Sequence, residues 1–365
     1  MPTNNFLLNF KITMHPNSVN IIGIMSGTSL DGLDIALCNF YEQDKKVHYR
    51  LIACETIHYE TFWKERLQNA FESSAEQYFK LNQLYGKYIA DNINFFLIKH
   101  QQSVNYIASH GHTIFHRPEL GFSTQIGCCA TIAANTGITT IGDFRSIDVA
   151  LNGQGAPLVP IGDRDLFHKH ASCLNIGGIA NISFQKNGQT IAFDICIANM
   201  ALNYLAGLQH KPYDENGHMA SIGNISRVLL HQLESLETNN KSLGREWFES
   251  QFLPILNAYS IPVEDKLATC VEYCAIKISE CLKQNNIPSV LISGGGAYNF
   301  FLIERLRSHY EGAIEIPTDE VIQFKEAIIF AYLGYLRVHQ QNNALSSVTG
   351  ASRNSVGGCI YLGKK

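Results

Sequence analysis

Three glycine-bearing segments carry the residue types that bind phosphate and nucleoside. The first reads Ser26-Gly27-Thr28-Ser29-Leu30-Asp31-Gly32-Leu33-Asp34. Glycine lets the backbone come close to a ligand, hydroxyl and N–H groups donate to phosphate oxygens, and the carboxylates of Asp31 and Asp34 can hold a hydrated Mg2+. The same residue types build polar hairpin turns, so by itself the segment supports both readings equally. No Walker A string, nucleophile elbow or helix-opening G-x-G-x-x-G accompanies it. The second segment, Asn175-Ile176-Gly177-Gly178-Ile179, sets a glycine pair between apolar runs. The third, Ser293-Gly294-Gly295-Gly296-Ala297, follows a β-branched run, where a nucleoside face can lie on bare backbone. As a set they favour a nucleotide held between two α/β units over three unrelated turns, because such ligands sit at strand ends and domain interfaces.

Other chemistry is weaker. His110 and His112 form an H-x-H pair with His116 close by, but no carboxylate or Cys follows at a convincing zinc spacing. The ten cysteines are too dilute for a disulfide scaffold and lack C-x2-C pairs, so they read as reduced, mostly buried thiols. Lys and Arg number 28 against 32 for Asp and Glu, a net charge of -4, which argues against polymeric nucleic acid as a partner. No apolar run reaches the roughly 20 residues of a membrane span, and the start lacks a basic n-region, so a cytoplasmic protein is expected.

The elements that must position these residues follow from periodicity. Residues 19–25 and 33–40 read as strands joined by the first segment, residues 61–100 as helical, and residues 106–109 as a short strand. The pattern then recurs. Strands are expected at residues 172–176, 179–184 and 190–195, then a helix at 267–284, a strand at 289–293, and helices at 299–307 and 325–339. Two strand-turn-strand units half a chain apart indicate a duplicated α/β domain. The expected division is an extension at 1–19, a first domain at 20–168 and a second at 169–365, with residues 142–162 as the junction.

Eight strings now carry a specific resemblance: MSGTSLDGLD, ASHGHTIFH, TGITTIGDFR, LNGQGAPLVP, LNIGGIANIS, KPYDENG, SGGGAYN and SVTGAS. In this order, spanning nearly the whole chain, they resemble the anhydro-N-acetylmuramic acid kinases. The resemblance implies an α/β fold of duplicated RNase-H-like (actin-like ATPase) domains around a central nucleotide cleft. It further implies ATP-dependent phosphorylation of 1,6-anhydro-N-acetylmuramic acid with hydrolytic opening of the anhydro ring, during peptidoglycan recycling, with ATP and Mg2+ as cofactors and a homodimer as the assembly.

By position, the resemblance makes Gly27, Thr28, Ser29, Leu30, Asp31, Gly32, Leu33 and Asp34 the first phosphate loop. Gly177 and Gly178 become the second, and Gly294, Gly295 and Gly296 the nucleoside turn. It assigns the general base to Asp194, the orientation of the attacking water to Glu326, and sugar contacts to His110, Asp143, Arg145 and Asn199. Arg145 could grip the sugar's lactyl carboxylate with two N–H groups. Two alternatives stay open: Glu326 as a helix first-turn acid, and Asp143 with Arg145 as a structural ion pair.

The chain departs from the family pattern at one place. Asp-Thr-Gly-Pro is replaced by Asp194-Ile195-Cys196-Ile197, and β-branched residues resist a left-handed backbone. The rival readings are therefore a nucleotide-binding pseudoenzyme of the same fold and a kinase of another amino sugar.

Overall fold

The computed structural model of the 365-residue chain describes residues 18–27, 30–236 and 243–364. Thr28 and Ser29, like most of the expected extension, lie outside the described residues.

Twelve described strands form two sheets. In the first, β1 (Val19–Ser26), β2 (Gly32–Gln43) and β3 (Lys46–His58) are antiparallel neighbours, β4 (Tyr106–Arg117) runs parallel to β1, and β6 (Thr139–Gly142) runs parallel to β4. β5 (Phe122–Ile126) pairs with the far half of β4. In the second sheet β7 (Ser172–Ile176), β8 (Ile179–Lys186) and β9 (Gln189–Ile197) are antiparallel neighbours. There β10 (Ser289–Ser293) runs parallel to β7, and β11 (Ala313–Glu315) parallel to β10. The spatial orders β6-β4-β1-β2-β3 and β11-β10-β7-β8-β9 are the same topology used twice. The expected duplication is thus present in the strand order and not only in the turn chemistry.

Both faces of the first sheet are covered at its centre, which explains why β1 and β2 bury apolar residues on both faces. Leu33, Ile35 and Leu37 of β2 join Ile22 and Ile24 against helix α1 (Ala75–His100), whose N-terminus carries a Ser74/Gln77 capping box. The alternate residues Ala36, Cys38 and Phe40 face the other way. The remaining helices that matter for the cleft are α2 (Val159–Leu166), α3 (Asn199–Gly207), α4 (Val263–Gln284), α5 (Phe300–His309) and α6 (Asp319–Val338).

Two boundaries differ from the sequence expectation. Helix α6 starts at Asp319 instead of residue 325, so Asp319 and Glu320 occupy its first turn and Glu326 lies well inside it. The first-turn reading of Glu326 is removed. Helix α6 also covers the face of the first sheet that bears Ala36, Cys38 and Phe40, and the last strand, β12 (Cys359–Tyr361), pairs with β6. The expected second domain, 169–365, therefore loses its C-terminal part to the first sheet. Helical periodicity says that a helix has an apolar stripe but not which sheet that stripe covers.

Helix α6 comes unusually close to β1. A Cβ built on Gly23 would clash with the Ala327 carbonyl oxygen and reach 2.7 Å from the Ala331 amide nitrogen, both backbone atoms of α6. Gly23→Ala should therefore lower stability by about 1–3 kcal/mol, as overpacking against backbone does. Gly207→Ala, at the end of α3 with open space around it, should instead be neutral or stabilising by about 0.4–1 kcal/mol. Urea titration of the two variants beside the parent reads both; equal midpoints would show that α6 does not bear on Gly23.

Candidate active site

A cavity of about 750 Å3 is lined from both sheets, by Asp34 of β2, Asp163 of α2, and Lys325 and Glu326 of α6 on one side, and by Asn181 of β8, Asp194 of β9 and the Gly294-Gly295 turn on the other. Asp194 owes its place to a bulge. Asn181 pairs with Asp194 but Ala180 pairs with Cys196, so Ile195 is an extra residue in β9, and such insertions bend a strand and re-aim its side chains. The Asp194 carboxylate accepts the Leu243 N–H at 2.9 Å. The family-divergent Ile195, Cys196 and Ile197 keep extended backbone as the end of β9, and Cys196 and Ile197 are fully buried in the second core. The Cys274 thiol of α4 donates to the Ile197 carbonyl at 3.2 Å. The loop thus needs no left-handed residue here, and the bulkier side chains are used for packing.

The glycine turns are of two kinds. Gly294 has φ +80, and a Cβ there would meet Asn175 Oδ1 at 2.5 Å and the Ile176 carbonyl oxygen at 2.8 Å, so the fold itself requires glycine. Gly177 has no such constraint, for the nearest atom to an added Cβ is Asn175 Nδ2 at 3.5 Å. Asn199, expected at the sugar, is engaged with these turns. Its Nδ2 donates to the Ile176 carbonyl at 3.2 Å and its backbone N–H to the Gly177 carbonyl at 3.1 Å. Among the described residues of the first loop Leu30 is left-handed, φ 59, and its N–H donates to the Gly27 carbonyl at 3.3 Å.

A buried ion pair at the cavity is one the sequence gave no sign of. Lys325 Nζ lies 2.8 Å from Asp163 Oδ1, both side chains buried, and 3.4 Å from Ser293 Oγ, while Ser183 Oγ donates to Asp163 Oδ2 at 2.6 Å. Burial works most strongly against the Lys325 charge, but the facing Asp163, with Cys173 and Glu326 adding to it, holds the ammonium above its ordinary value. Glu326 opens onto the cavity yet is surrounded by protein, and that enclosure raises its pKa, with Lys325 opposing and Asp34 adding to the rise. Asp34 is likewise raised, first by burial and further by Asp31, against a 2.6 Å hydrogen bond donated by Thr56.

Among the described residues four carboxylates, those of Asp34, Asp163, Asp194 and Glu326, thus face a cavity whose one ammonium, that of Lys325, is already paired. A polyanion enters such a site only with a cation, and this excess of hard oxygen donors suits Mg2+. Among the described residues no three or more His, Cys, Asp or Glu form a ready metal cage. Asp34 lines the cavity; Asp31 is exposed outside it, its carbonyl accepting from His58 Nδ1 at 3.2 Å.

His110 and Arg145 come together. The His110 Nδ1–H donates to the Gly111 carbonyl at 2.9 Å, leaving Nε2 to accept from the Arg145 guanidinium at 2.8 Å. Burial, then the Arg145 charge, bring His110 down to about 3, so it is a neutral acceptor. Arg145 also donates to the Gly155 carbonyl at 2.7 Å. Asp143 forms no pair with Arg145, for its carboxylate caps Ser146 through the backbone N–H at 3.2 Å and the hydroxyl at 2.6 Å. The structural ion pair considered for these two residues is therefore not formed. His112 goes to the opposite face from His110: Gly111, φ +74, breaks the strand alternation, and His112 Nδ1 meets Ser26 Oγ at 2.9 Å beside Tyr85 of α1, whereas His110 packs on Phe330 of α6. Asp148, which the sequence did not single out, is fully buried and accepts from Gly155 N–H and Thr349 Oγ1, both at 2.8 Å. It fixes the segment whose Gln154, Ala156 and Pro157 line the cavity.

Two sheets of one repeated topology, with glycine turns and a carboxylate-rich cavity between them, define a duplicated α/β fold. Residues 19–363 match the family model for anhydro-N-acetylmuramic acid kinase, and the chain belongs to that family. The relative from Mannheimia succiniciproducens, named anhydro-N-acetylmuramic acid kinase, is 36% identical over 93% of this chain and 98% of its own. The one from Sulfurimonas denitrificans, of the same name, is 32% identical with the same coverage. Among solved structures, the activator of 2-hydroxyisocaproyl-CoA dehydratase from Clostridium difficile overlays with a TM-score of 0.45 at 13% identity, covering 88% of this chain and 96% of that one.

Because the protein leaves room at Gly177, a methyl group there tests the ligand alone. Gly177→Ala should leave the thermal midpoint within about 1 kcal/mol equivalent of the parent while weakening nucleotide binding by calorimetry. Unchanged affinity would mean that no phosphate approaches this turn.

Proposed function

We propose that this chain transfers the γ-phosphoryl group of ATP to O6 of 1,6-anhydro-N-acetylmuramic acid while water opens the anhydro ring, giving N-acetylmuramic acid 6-phosphate and ADP. The observation that carries the reading is that Asp194 and the Gly294-Gly295 turn line one cavity, so a carboxylate and a nucleotide-accepting backbone serve the same reaction space. In the reaction the water oxygen bonds to the anomeric carbon as the C1–O6 bond breaks, and O6 bonds to phosphorus. Asp194 takes the water proton, for which a carboxylate within hydrogen-bond reach is needed. Glu326, across the cavity wall, accepts a hydrogen bond from the same water and orients it. The phosphoryl step needs in-line positioning and charge neutralisation more than acid-base chemistry. Mg2+, with Asp34 as its protein ligand and Asp31 nearby, would neutralise phosphate charge when bound.

The pseudoenzyme reading loses its motive, since the divergent Ile195-Cys196-Ile197 stretch continues as strand and Asp194 still lines the cavity. ATP as donor assigns the reaction to the cytoplasm, within peptidoglycan recycling, and a homodimer is the assembly that the family resemblance suggests. No described helix is long and apolar enough to cross a membrane.

Asp194→Asn keeps size and hydrogen-bonding reach but cannot take a proton, so turnover should fall roughly 10²- to 10⁴-fold with sugar and ATP affinities little changed. The assay must follow ADP and sugar phosphate together; turnover within a few-fold of the parent would remove Asp194 as the base. Glu326 gives a pH signature. Its carboxylate must be ionised to accept from water, and its pKa is raised, so kcat should fall as pH drops through a midpoint above the ordinary 4.5. That acid limb should vanish from the residual activity of Glu326→Gln; a limb that persists unchanged belongs to another group.

A further inference from the structure

We propose that His116 is the residue that recognises the carboxylate of the acid-bearing sugar, and so sets the preference for an anhydro sugar with a lactyl ether over the same sugar without one. This rests on the kinase reading above. His116 lies near the end of β4 and lines the cavity on a wall shared with Gln154, Ala156 and Pro157, whereas the nucleoside turn is contributed by the second sheet.

The argument begins with charge. The sugar's carboxylate must enter a cavity that already holds four carboxylates, and it needs a donor not committed elsewhere. The basic side chains lining the cavity among the described residues are Lys325 and His116. Lys325 is in its buried pair with Asp163. Arg145 is not among the residues lining the cavity, and its guanidinium donates to the Gly155 carbonyl and to His110 Nε2. Among the basic groups that leaves the His116 imidazole.

Its hydrogen bonds also bear on which nitrogen carries the proton. His116 Nδ1 lies 3.1 Å from Ser123 Oγ, and Gln125 Nε2 donates to that same hydroxyl at 2.9 Å. The Ser123 proton is then free to go to Nδ1, a closer acceptor than the Phe115 carbonyl at 3.5 Å. With Nδ1 accepting, the ring proton sits on Nε2, and the imidazole offers an N–H donor. Burial, then the Arg145 charge, hold the ring below its ordinary pKa, with Glu119 opposing, so before the sugar arrives it is a neutral donor. A neutral N–H meeting a carboxylate is a charge-assisted hydrogen bond, worth about 10- to 100-fold in affinity.

The test measures binding and turnover of 1,6-anhydro-N-acetylmuramic acid and of the same anhydro sugar lacking the lactyl ether, with the full chain and with His116→Ala and His116→Gln. His116→Ala should raise KM and Kd for the acid sugar by about 10- to 100-fold, leave Kd for the neutral sugar and KM for ATP within a few-fold, and keep kcat near the parent. His116→Gln, whose amide can still donate, should recover part of the loss and serves also if the alanine variant proves unstable. An unchanged ratio of the two sugars' dissociation constants, or an equal loss for both, overturns the proposal. The kinase reading fails separately, if the parent chain makes no sugar phosphate from the acid sugar and ATP.

Discussion

The absence of a side chain at Gly23 lets the backbone of α6 rest on the backbone of β1, and the cleft is arranged around that contact. Helix α6 covers one face of the first sheet along its length, with Gly334 against Ala108 on β4 as a second close approach. The rigid helix then delivers Lys325 and Glu326 to the space between the sheets. A side chain at the contact would push the helix outward and carry both charged groups with it, so the packing of an apolar face determines the geometry of a polar site. The first sheet gains its last cover only when the chain has come back from the second, which ties the folding of the two units together.

The charges that α6 brings are arranged for a ligand that is itself charged. Lys325 and Asp163 neutralise each other at the bottom of the cavity, where an ion left single would cost several kcal/mol. What remains above them includes Asp34 and Glu326, whose pKa values are raised by enclosure and by neighbouring carboxylates. Such a site is poor at holding a polyphosphate by itself and good at holding one that arrives with a divalent cation. It also keeps a carboxylate available to accept a proton from water, which an aqueous surface acid would do less well. The same excess of acids makes the neutral imidazole of His116 a valuable position on the wall.

The bulge in β9 shows how a changed motif can keep its chemistry. Glycine and proline would shape a turn after Asp194; this chain has Ile195, Cys196 and Ile197 and makes a strand with one extra residue instead. The side chains that replace the turn residues are then accommodated in the second core beside Cys274. The aspartate keeps a place on the cavity wall because the bulge, rather than a left-handed glycine, re-aims it.

Much was legible from the residues in order. Alternating apolar runs gave the strands, glycine clusters marked the turns, and their recurrence after half a chain pointed to duplication; each depends on neighbours within a few positions. Asp194, Glu326 and the Gly294-Gly295 turn were legible as motif residues, and they do meet in one cavity. Tertiary structure alone decided that α6 and β12 serve the first sheet, that Asn199 braces a turn, and that His110 spends its acceptor on Arg145. It also decided that Lys325 pairs with Asp163 across 162 positions of chain. The division has one physical cause. A residue's periodicity and turn preference are set by its local backbone, whereas the partner of a buried charge is whatever the folded chain brings within a few ångströms, and sequence spacing does not encode that distance.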